Sequence, residues 1–439
     1  MKTTNHTPPV VSKMALIPFA LVTLLFALWG FANAVTDPMV HAFKKVLELS
    51  YSQASMVQMA FYGGYFCMAL PAAMFMRKYS YKTGVLIGLA LYAVGALLFY
   101  PAAITEQFGF FCFGLYILTF GLAFLETSAN PYILAMGAKE TATQRLNLAQ
   151  AFNPVGLIAG ILVAQQFVLK NLQSDDITNF KTLDEATKTM IRTADLMVIR
   201  NPYVILGLVI TLVFILFLTI KMPQSTSNDK VSNITKTFSS IVKNKTYILG
   251  VLSQTLYMGG QIMCWTYIYS YAEAIHIDNV TTGYYQIGAF LVFTVGRIVG
   301  TYLLKFLTPG KLLGYFSGLA VCFAFLTITI HGTIGLYALV AISFCMSIMY
   351  PTNYGIALSS LTEEQAKIGS AGLVMAIVGG ALMPNLQGQL IDLSTSGTEK
   401  FSILGISMVN FSFILPLCCF LYIAWYGFYT AKKEKTKSI

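Results

Sequence analysis

The chain has 439 residues, of which 56% are hydrophobic and only 10% are charged, and its mean hydropathy is +0.68. A soluble domain carries about 25% charged residues, and no soluble fold of this length could bury so much apolar surface. These values exclude a soluble protein and make the lipid bilayer the expected solvent. The net charge of +10 comes from basic residues in short loops and at both ends, so it indicates membrane orientation and not nucleic-acid binding.

Apolar runs long enough to cross a bilayer, which takes about 20 residues each, recur along the whole chain. Together they predict an all-α integral membrane protein with twelve transmembrane helices. The predicted helices are residues 15–40, 51–76, 83–101, 108–135, 146–169, 201–220, 246–273, 283–304, 312–330, 334–358, 368–391 and 403–428.

Two predicted connections are long, residues 170–200 and 221–245, and the second is polar and basic and leaves six helices on either side. Prolines recur at matching places of the fourth and fifth helices and of the tenth and eleventh: Pro131, Pro154, Pro351 and Pro384. Such echoes are typical of internally repeated membrane proteins. We therefore predict two pseudo-symmetric six-helix bundles, residues 1–220 and 246–439, joined by a cytoplasmic linker. The four prolines are predicted to have gating or structural roles.

Lysines and arginines are concentrated in alternate connections between the predicted helices. If both ends lie inside, the inner segments carry most of them, whereas the short outer loops carry only Lys44, Lys45 and Lys400. Basic residues near membrane helices favour the cytoplasmic side. The pattern predicts a multi-pass protein whose termini and central linker are cytoplasmic.

Three ionisable residues fall well inside predicted helices: Asp37, Glu126 and Arg297. Each costs about 2.5–3.5 kcal/mol on insertion scales, so each is a functional candidate. Burial disfavours the charged form of a carboxylate, so such a group can hold a proton and release it when water enters. We predict that Asp37 and Glu126 couple transport to protons. Arg297 could act as a gate or could hold two helices together, and the sequence leaves both interpretations open.

Amide side chains share helix faces with the two carboxylates. Asn33 precedes Asp37 by four residues, and Asn130 follows Glu126 by four, so each pair lies on one face. The fifth helix adds amides at intervals of three: Asn147, Gln150 and Asn153. Each stripe ends near a proline, which frees a backbone carbonyl, and such breaks are tolerated where they face a cavity. The pattern predicts a polar cavity near the middle of the membrane.

The second half of the sequence supplies mainly aromatic rings and amides. The candidates are Tyr257, Gln261, Trp265, Asn353, Asn385 and Gln387. Amides and carboxylates bind hydroxyl groups, while an aromatic ring packs against the C–H face of a sugar, so the combined pattern favours a sugar as the ligand. Polar side chains also hold transmembrane helices together, so every single amide here has a structural alternative.

Five segments carry a family resemblance: "LWGFANAVTDP", "FYGGYF", "GLAFLETSANPY", "RLNLAQAFN" and "MSIMYPTNYGIAL". Together they resemble the fucose–galactose–glucose:proton symporter family of the major facilitator superfamily, and the likeness covers nearly the whole chain. The resemblance implies the major facilitator fold, in which two bundles rock about a central site. It also implies import of a monosaccharide with a proton across the bacterial inner (plasma) membrane, L-fucose first and galactose or glucose next.

The resemblance also assigns residues. The family's protonatable aspartate of the first helix and glutamate of the fourth match Asp37 and Glu126. Its asparagine of the first helix matches Asn33, and its sugar-proximal glutamine and asparagine of the fifth helix match Gln150 and Asn153.

The expected protein is therefore a secondary active transporter that works by alternating access and is not an enzyme. We expect no cofactor, with H+ as the coupling ion, and a monomer, because each chain would contain a complete pathway. The alternatives are an uncoupled or sodium-coupled hexose transporter and a non-transporting sugar sensor. A membrane enzyme is disfavoured because the sequence shows no metal cluster or nucleophile–base pair.

Overall fold

The computed structural model describes residues 9–11, 15–48, 51–175, 183–220, 234–277, 279–392, 402–403 and 406–437. The helices of the first half are α1 (Leu16–Val46), α2 (Tyr51–Lys78), α3 (Tyr81–Leu97), α4 (Phe99–Thr105), α5 (Phe108–Ala135), α6 (Ala142–Gln150), α7 (Asn153–Val163) and α8 (Glu185–Thr219). Those of the second half are α9 (Ile234–Lys243), α10 (Lys245–Thr266), α11 (Ile268–Ala274), α12 (Asn279–Leu303), α13 (Pro309–Thr329), α14 (Thr333–Met346), α15 (Met349–Ser359), α16 (Glu363–Met375), α17 (Gly379–Asp392), α18 (Met408–Phe411) and α19 (Ile414–Lys437).

Every predicted transmembrane segment coincides with one or more of these helices, which confirms the all-α fold class. Among the described residues, ten helical stretches are long and apolar enough to cross a bilayer, and Ala60–Met76 within α2 is a shorter apolar helix. The predicted helix at residues 246–273 is formed by α10 and α11. Helices prevail because a backbone in lipid must satisfy its own hydrogen bonds.

The start of α8 corrects a predicted boundary, since the helix begins at Glu185 and not at residue 201. Asp184 caps it by accepting a hydrogen bond from the Thr187 backbone N–H at 3.0 Å. Hydrogen bonds from Thr187 also hold the pKa of the Asp184 carboxyl below its ordinary value. In the first turns Lys188 approaches the Glu48 carboxylate at 3.7 Å. Residues 185–200 of the predicted connection are therefore helical. A cap and ion pairs stabilise the first turns, and Ile191, Leu196 and Ile199 are buried further along.

The predicted start of the last helix at residue 403 is also wrong. A short antiparallel pair of strands, β1 (Ser402–Ile403) and β2 (Ile406–Ser407), precedes α18. The Ser407 hydroxyl then accepts a hydrogen bond from the Asn410 backbone N–H at 3.2 Å. Because this bond satisfies one of the first N–H groups of the helix, α18 begins only after Ser407.

The matching prolines differ in what they do to their helices. Pro154 is the second residue of α7 and Pro351 the third of α15, so the predicted fifth and tenth helices are each divided in two. Pro131 and Pro384 instead lie inside α5 and α17. A proline has no N–H for the carbonyl four residues earlier. At the first of these breaks residue 154 therefore has no N–H to donate.

Contacts between residues divide the chain into two compact units. The amino-terminal unit comprises residues 16–132 and 152–226, and the carboxyl-terminal unit comprises residues 1–15, 133–151 and 227–439. Within the carboxyl-terminal unit, α6 packs against α12 and α15. The predicted division into residues 1–220 and 246–439 stays a prediction.

Close helix pairs of the amino-terminal unit meet at glycines. α1 packs against α7, where a Cβ added at Gly156 would overlap the Ala27 carbonyl oxygen. Small residues let transmembrane backbones approach closely, which compensates for the weak hydrophobic drive between helices in lipid. The α1–α7 contact therefore depends on the missing side chain at this position.

The carboxyl-terminal unit has a core of aromatic and aliphatic side chains from α10 to α15, from α19 and from the residue just before α19. Its fully buried members include Tyr257, Tyr271, Phe413 and Phe420. The Tyr271 hydroxyl donates to the Ile330 carbonyl at 3.0 Å, so this ring is satisfied at its polar end.

Arg145 on α6 donates hydrogen bonds to the backbone carbonyls at the carboxyl end of α5. Its side chain is 0% exposed, and it donates to the carbonyl oxygens of Ile133 at 2.7 Å and Leu134 at 2.6 Å. The last carbonyls of a helix have no partner within the helix, so the guanidinium supplies the missing donors. A third bond, to the Val10 carbonyl at 3.0 Å, attaches the amino-terminal segment to the same side chain.

We expect Gly156→Ala to lower the melting temperature in detergent, because the added methyl group overlaps the backbone of α1. Overpacking of this kind typically costs about 1–3 kcal/mol. Gly288→Ala is the matched control, since nothing lies within 4 Å of a Cβ added there in α12. Equal melting temperatures for the two variants would show that α1 and α7 do not need this close approach.

Candidate functional site

Glu126 lies in α5 with only 2% of its surface exposed. Asn130, one turn further on, is fully buried. The neighbouring hydroxyls turn to their own backbone, with Thr127 donating to the Ala123 carbonyl and Ser128 to the Phe124 carbonyl, both at 2.6 Å. The carboxyl group therefore sits in a helix in which the two hydroxyl side chains that follow it are satisfied by their own backbone.

Two aromatic residues that the sequence analysis did not single out accompany Glu126. The Tyr65 hydroxyl of α2 is near enough to interact electrostatically with the carboxyl group. Trp29 of α1 donates its indole N–H to that hydroxyl at 2.5 Å, and the two rings stack with centroids 6.5 Å apart. A signal was present, because Trp29 precedes Asn33 by four residues and so lies on the same helix face.

Of the other two candidate residues in α1, the structure describes the side chain of only one. Asn33 is partly buried, while the side chain of Asp37 lies outside the described residues. Between them, Thr36 donates to the Ala32 carbonyl at 2.8 Å, and its hydroxyl lies 3.4 Å from that of Tyr203. The structure therefore places the helix that carries Asp37 but does not test its predicted role.

Asn153 begins α7 and ties that helix to α1. Its amide nitrogen donates to the Phe26 carbonyl at 3.1 Å. The structural alternative for a single amide therefore applies to at least one of the predicted sugar-binding residues.

In the carboxyl-terminal unit, α6 brings Asn147 and Gln150 to α15 and α12. The Asn147 amide donates to the Thr352 hydroxyl at 3.2 Å. Gln150 is 5% exposed, and its backbone carbonyl accepts a hydrogen bond from Arg297 Nη1 at 3.3 Å. Arg297 is 3% exposed and lies over the Phe293 ring, 5.1 Å from its centroid. Among the described residues it forms no ion pair with a carboxylate.

Aromatic rings adjoin this cluster. Trp265 donates its indole N–H to the Ser343 hydroxyl at 3.2 Å and packs edge-to-face against Phe293, with ring centroids 5.3 Å apart. Tyr257 packs edge-to-face against Tyr350 at 6.0 Å. Phe293 thus touches both Trp265 and Arg297, which joins the aromatic rings to the polar end of α6.

The remaining candidates differ in their contacts. Asn353 accepts from the Ser253 hydroxyl at 2.9 Å, and Gln387 donates to the Ser412 hydroxyl at 3.0 Å. Asn385 is exposed and donates to a carbonyl of its own helix, and Gln261 is buried. Within the described residues, no group of three or more His, Cys, Asp or Glu side chains could hold a metal ion.

These features define a multi-pass membrane protein that buries a carboxyl group and a polar–aromatic cluster inside its helices, as a transporter of a polar solute does. The chain belongs to the Major Facilitator Superfamily, which it matches over residues 19–384. The predicted family is thereby confirmed.

Three proteins that are similar to this chain carry names of sugar transporters. The chain is 51% identical to the L-fucose-proton symporter of Haemophilus influenzae over 95% of this chain and 97% of the relative. It is 30% identical to the glucose/galactose transporter of Brucella abortus over 94% of both chains. A crystal structure of the E. coli fucose:proton symporter FucP matches with a TM-score of 0.83 and 31% identity, covering 94% of this chain and 98% of that one.

Proposed function

We propose that the protein is a secondary active transporter that imports a monosaccharide together with a proton, with L-fucose as the first substrate. The observation that carries the proposal is the 51% identity to an L-fucose-proton symporter over nearly the full length of both chains. Glu126, buried in α5, supplies the protonatable group that such coupling needs. The second candidate substrate is galactose or glucose, which the 30% identical glucose/galactose transporter favours.

In the proposed mechanism Glu126 binds the coupling proton. A buried carboxyl group is far less costly to desolvate when it is neutral, so the protonated form accompanies the state closed to water. Hydration of the site then favours release of the proton. Tyr65, whose hydroxyl accepts a hydrogen bond from Trp29, is a polar neighbour of Glu126 that can respond to this change of charge. Asp37 is proposed as the second protonatable group, as the family resemblance implies.

The proposed sugar-binding residues fall into two sets. In the amino-terminal unit they are Asn33, Asn130 and Asn153. In the carboxyl-terminal unit they are Gln150, Tyr257, Gln261, Trp265, Asn353, Asn385 and Gln387. Trp265 is proposed to pack against the C–H face of a sugar, because its ring is only partly buried and is held in place by Ser343 and Phe293.

We further propose that a monomer works by alternating access, with residues 1–220 and 246–439 as the two halves and residues 221–245 as a cytoplasmic linker. The location proposed is the bacterial inner membrane, with both termini in the cytoplasm.

Adding L-fucose to de-energised cells that express the protein should make a weakly buffered medium more alkaline, because each imported sugar carries a proton inward. The measurement is external pH, with D-galactose, D-glucose and a sugar alcohol added in separate runs. Alkalinisation by galactose or glucose alone would favour the second substrate. Uptake of labelled sugar without a pH change would remove the proton from the mechanism.

Glu126→Gln should abolish sugar-driven proton movement while sugar exchange continues, because the amide resembles the protonated carboxyl group and cannot release a proton. Proton movement and exchange of labelled sugar are measured in the same proteoliposomes. Glu273→Gln, at an exposed position in α11, is the control and should behave as wild type. Full coupling in the Glu126 variant would place the proton site elsewhere.

Alkaline phosphatase fused after Glu106 or His276 should be active, and fused after Lys221 or Lys245 inactive, because the enzyme folds only outside the cytoplasm. A fluorescent protein at the carboxyl terminus should be bright for the converse reason. The opposite pattern would reverse the proposed orientation.

A further inference from the structure

The predicted linker contains a helix, α9, that is too short to cross a bilayer. Its ten residues, Ile234–Lys243, extend about 15 Å, about half the depth of the hydrocarbon layer. Its sequence, "ITKTFSSIVK", is amphipathic and ends in a lysine. Amphipathic helices with basic residues are typical of segments that lie along a membrane surface.

Polar contacts hold α9 at one end of the spanning helices of the carboxyl-terminal unit. The Ser240 hydroxyl of α9 accepts a hydrogen bond from Gln365 Nε2 in the first turn of α16 at 2.9 Å. Asn244, directly after α9, donates from its side chain to the Ser360 carbonyl at the end of α15, also at 2.9 Å. α15 ends one apolar stretch that is long enough to cross a bilayer, and α16 begins the next. α9 therefore lies where spanning helices leave the hydrocarbon layer.

One side of α9 is covered by the carboxyl-terminal unit, and another side is exposed. Thr237 and Ile241 are buried, whereas Phe238 and Val242, each the next residue along, are 52% and 49% exposed. Phe238 and Val242 are one turn apart, so they form an apolar stripe. Ile248, in the first turn of α10, is exposed as well. The lipid-exposed surface of this unit therefore begins close to the stripe.

Lysines from three helices collect at the same end of the unit. Lys243 ends α9 and Lys245 begins α10, and both are exposed. Lys433, near the end of α19, donates to the Thr246 hydroxyl at 3.2 Å, which brings the exposed Lys432 to the start of α10 as well. Four ammonium groups therefore lie near the first turn of α10.

The acidic residues at this end are outnumbered by basic ones. Glu363 and Glu364 begin α16. The linker, residues 221–245, contains five lysines and one aspartate, and residues 431–439 contain four lysines and one glutamate. Basic residues beside a spanning helix attract anionic lipids, so the charge here is complementary to a negatively charged headgroup.

We propose that this end of the carboxyl-terminal unit binds anionic phospholipid. The lysines of α9, α10 and α19 meet the headgroup phosphates, and Phe238 and Val242 lie among the upper acyl carbons of the same lipids. A zwitterionic lipid fits less well, because its own ammonium group is repelled by the lysines. Lipid binding here does not depend on which sugar the protein carries.

The experiment places the photo-crosslinking residue p-benzoylphenylalanine at position 238 of the full-length protein, in vesicles of equal parts phosphatidylglycerol and phosphatidylcholine. Mass spectrometry of the adducts then identifies what lies against α9. We expect lipid adducts in which phosphatidylglycerol is enriched about 3-fold or more over the vesicle composition. The same residue in place of Phe325, an exposed position near the end of α13, is the control and should give lipid adducts without this enrichment.

Charge removal tests the role of the lysines. Lys243→Gln combined with Lys245→Gln should lower the enrichment at position 238 to less than about half of its wild-type value, because two ammonium groups are lost. Lys139→Gln combined with Lys305→Gln removes the same charge from exposed positions outside α9, α10 and α19, and should leave the enrichment unchanged. Raising the salt concentration from 0.05 to 0.5 M should act on the wild type as the first pair of substitutions does.

The nature of the adducts decides the outcome. Adducts at position 238 with a second copy of the protein, or with the chain's own residues 221–233, in place of lipid would overturn the proposal. So would lipid adducts without a preference for phosphatidylglycerol, or a preference that Lys243→Gln and Lys245→Gln leave unchanged. If that variant does not fold, the salt dependence decides, and position 242 replaces position 238 if the label there prevents folding.

Discussion

A backbone carbonyl inside the hydrocarbon layer needs a donor from the protein itself, and this requirement shapes the helix ends and breaks of the chain. Arg297 donates to the Gln150 carbonyl at the end of α6. Arg145 donates to the last carbonyls of α5, and the Tyr267 hydroxyl donates to the Pro384 carbonyl at 2.7 Å. Long polar side chains therefore supply hydrogen-bond donors to helix ends and breaks that the helices themselves cannot satisfy.

Glu126 differs from these donors in a way that bears on the proposed function. An ionised carboxylate accepts hydrogen bonds and gives none, so it cannot satisfy a freed carbonyl. Its charge, unlike that of a buried arginine, changes when a single proton binds. A carboxyl group in a buried helix is thus suited to coupling, whereas the arginines are suited to holding the backbone.

The polar candidate residues look alike in the sequence but make different contacts in the structure. Asn153 bonds to a neighbouring helix, Gln387 bonds to the turn between α18 and α19, and Gln150 lies beside a buried cation. Sequence spacing places an amide on a helix face but does not say what packs against that face. For the same reason the Trp29–Tyr65 pair was not predicted, since its two residues come from different helices.

The sequence by itself determined that the chain is a membrane protein and roughly where its helices lie, because the length of an apolar run is a local property. It also marked Glu126 as a candidate functional residue, because the cost of placing a charge in an apolar helix is local too. It also carried the family resemblance in its motifs. Only the tertiary structure decided that α8 begins at Glu185, that α6 packs with α12 and α15, and that Arg297 meets the Gln150 carbonyl. Those features depend on contacts between residues far apart in the chain, which no local pattern contains.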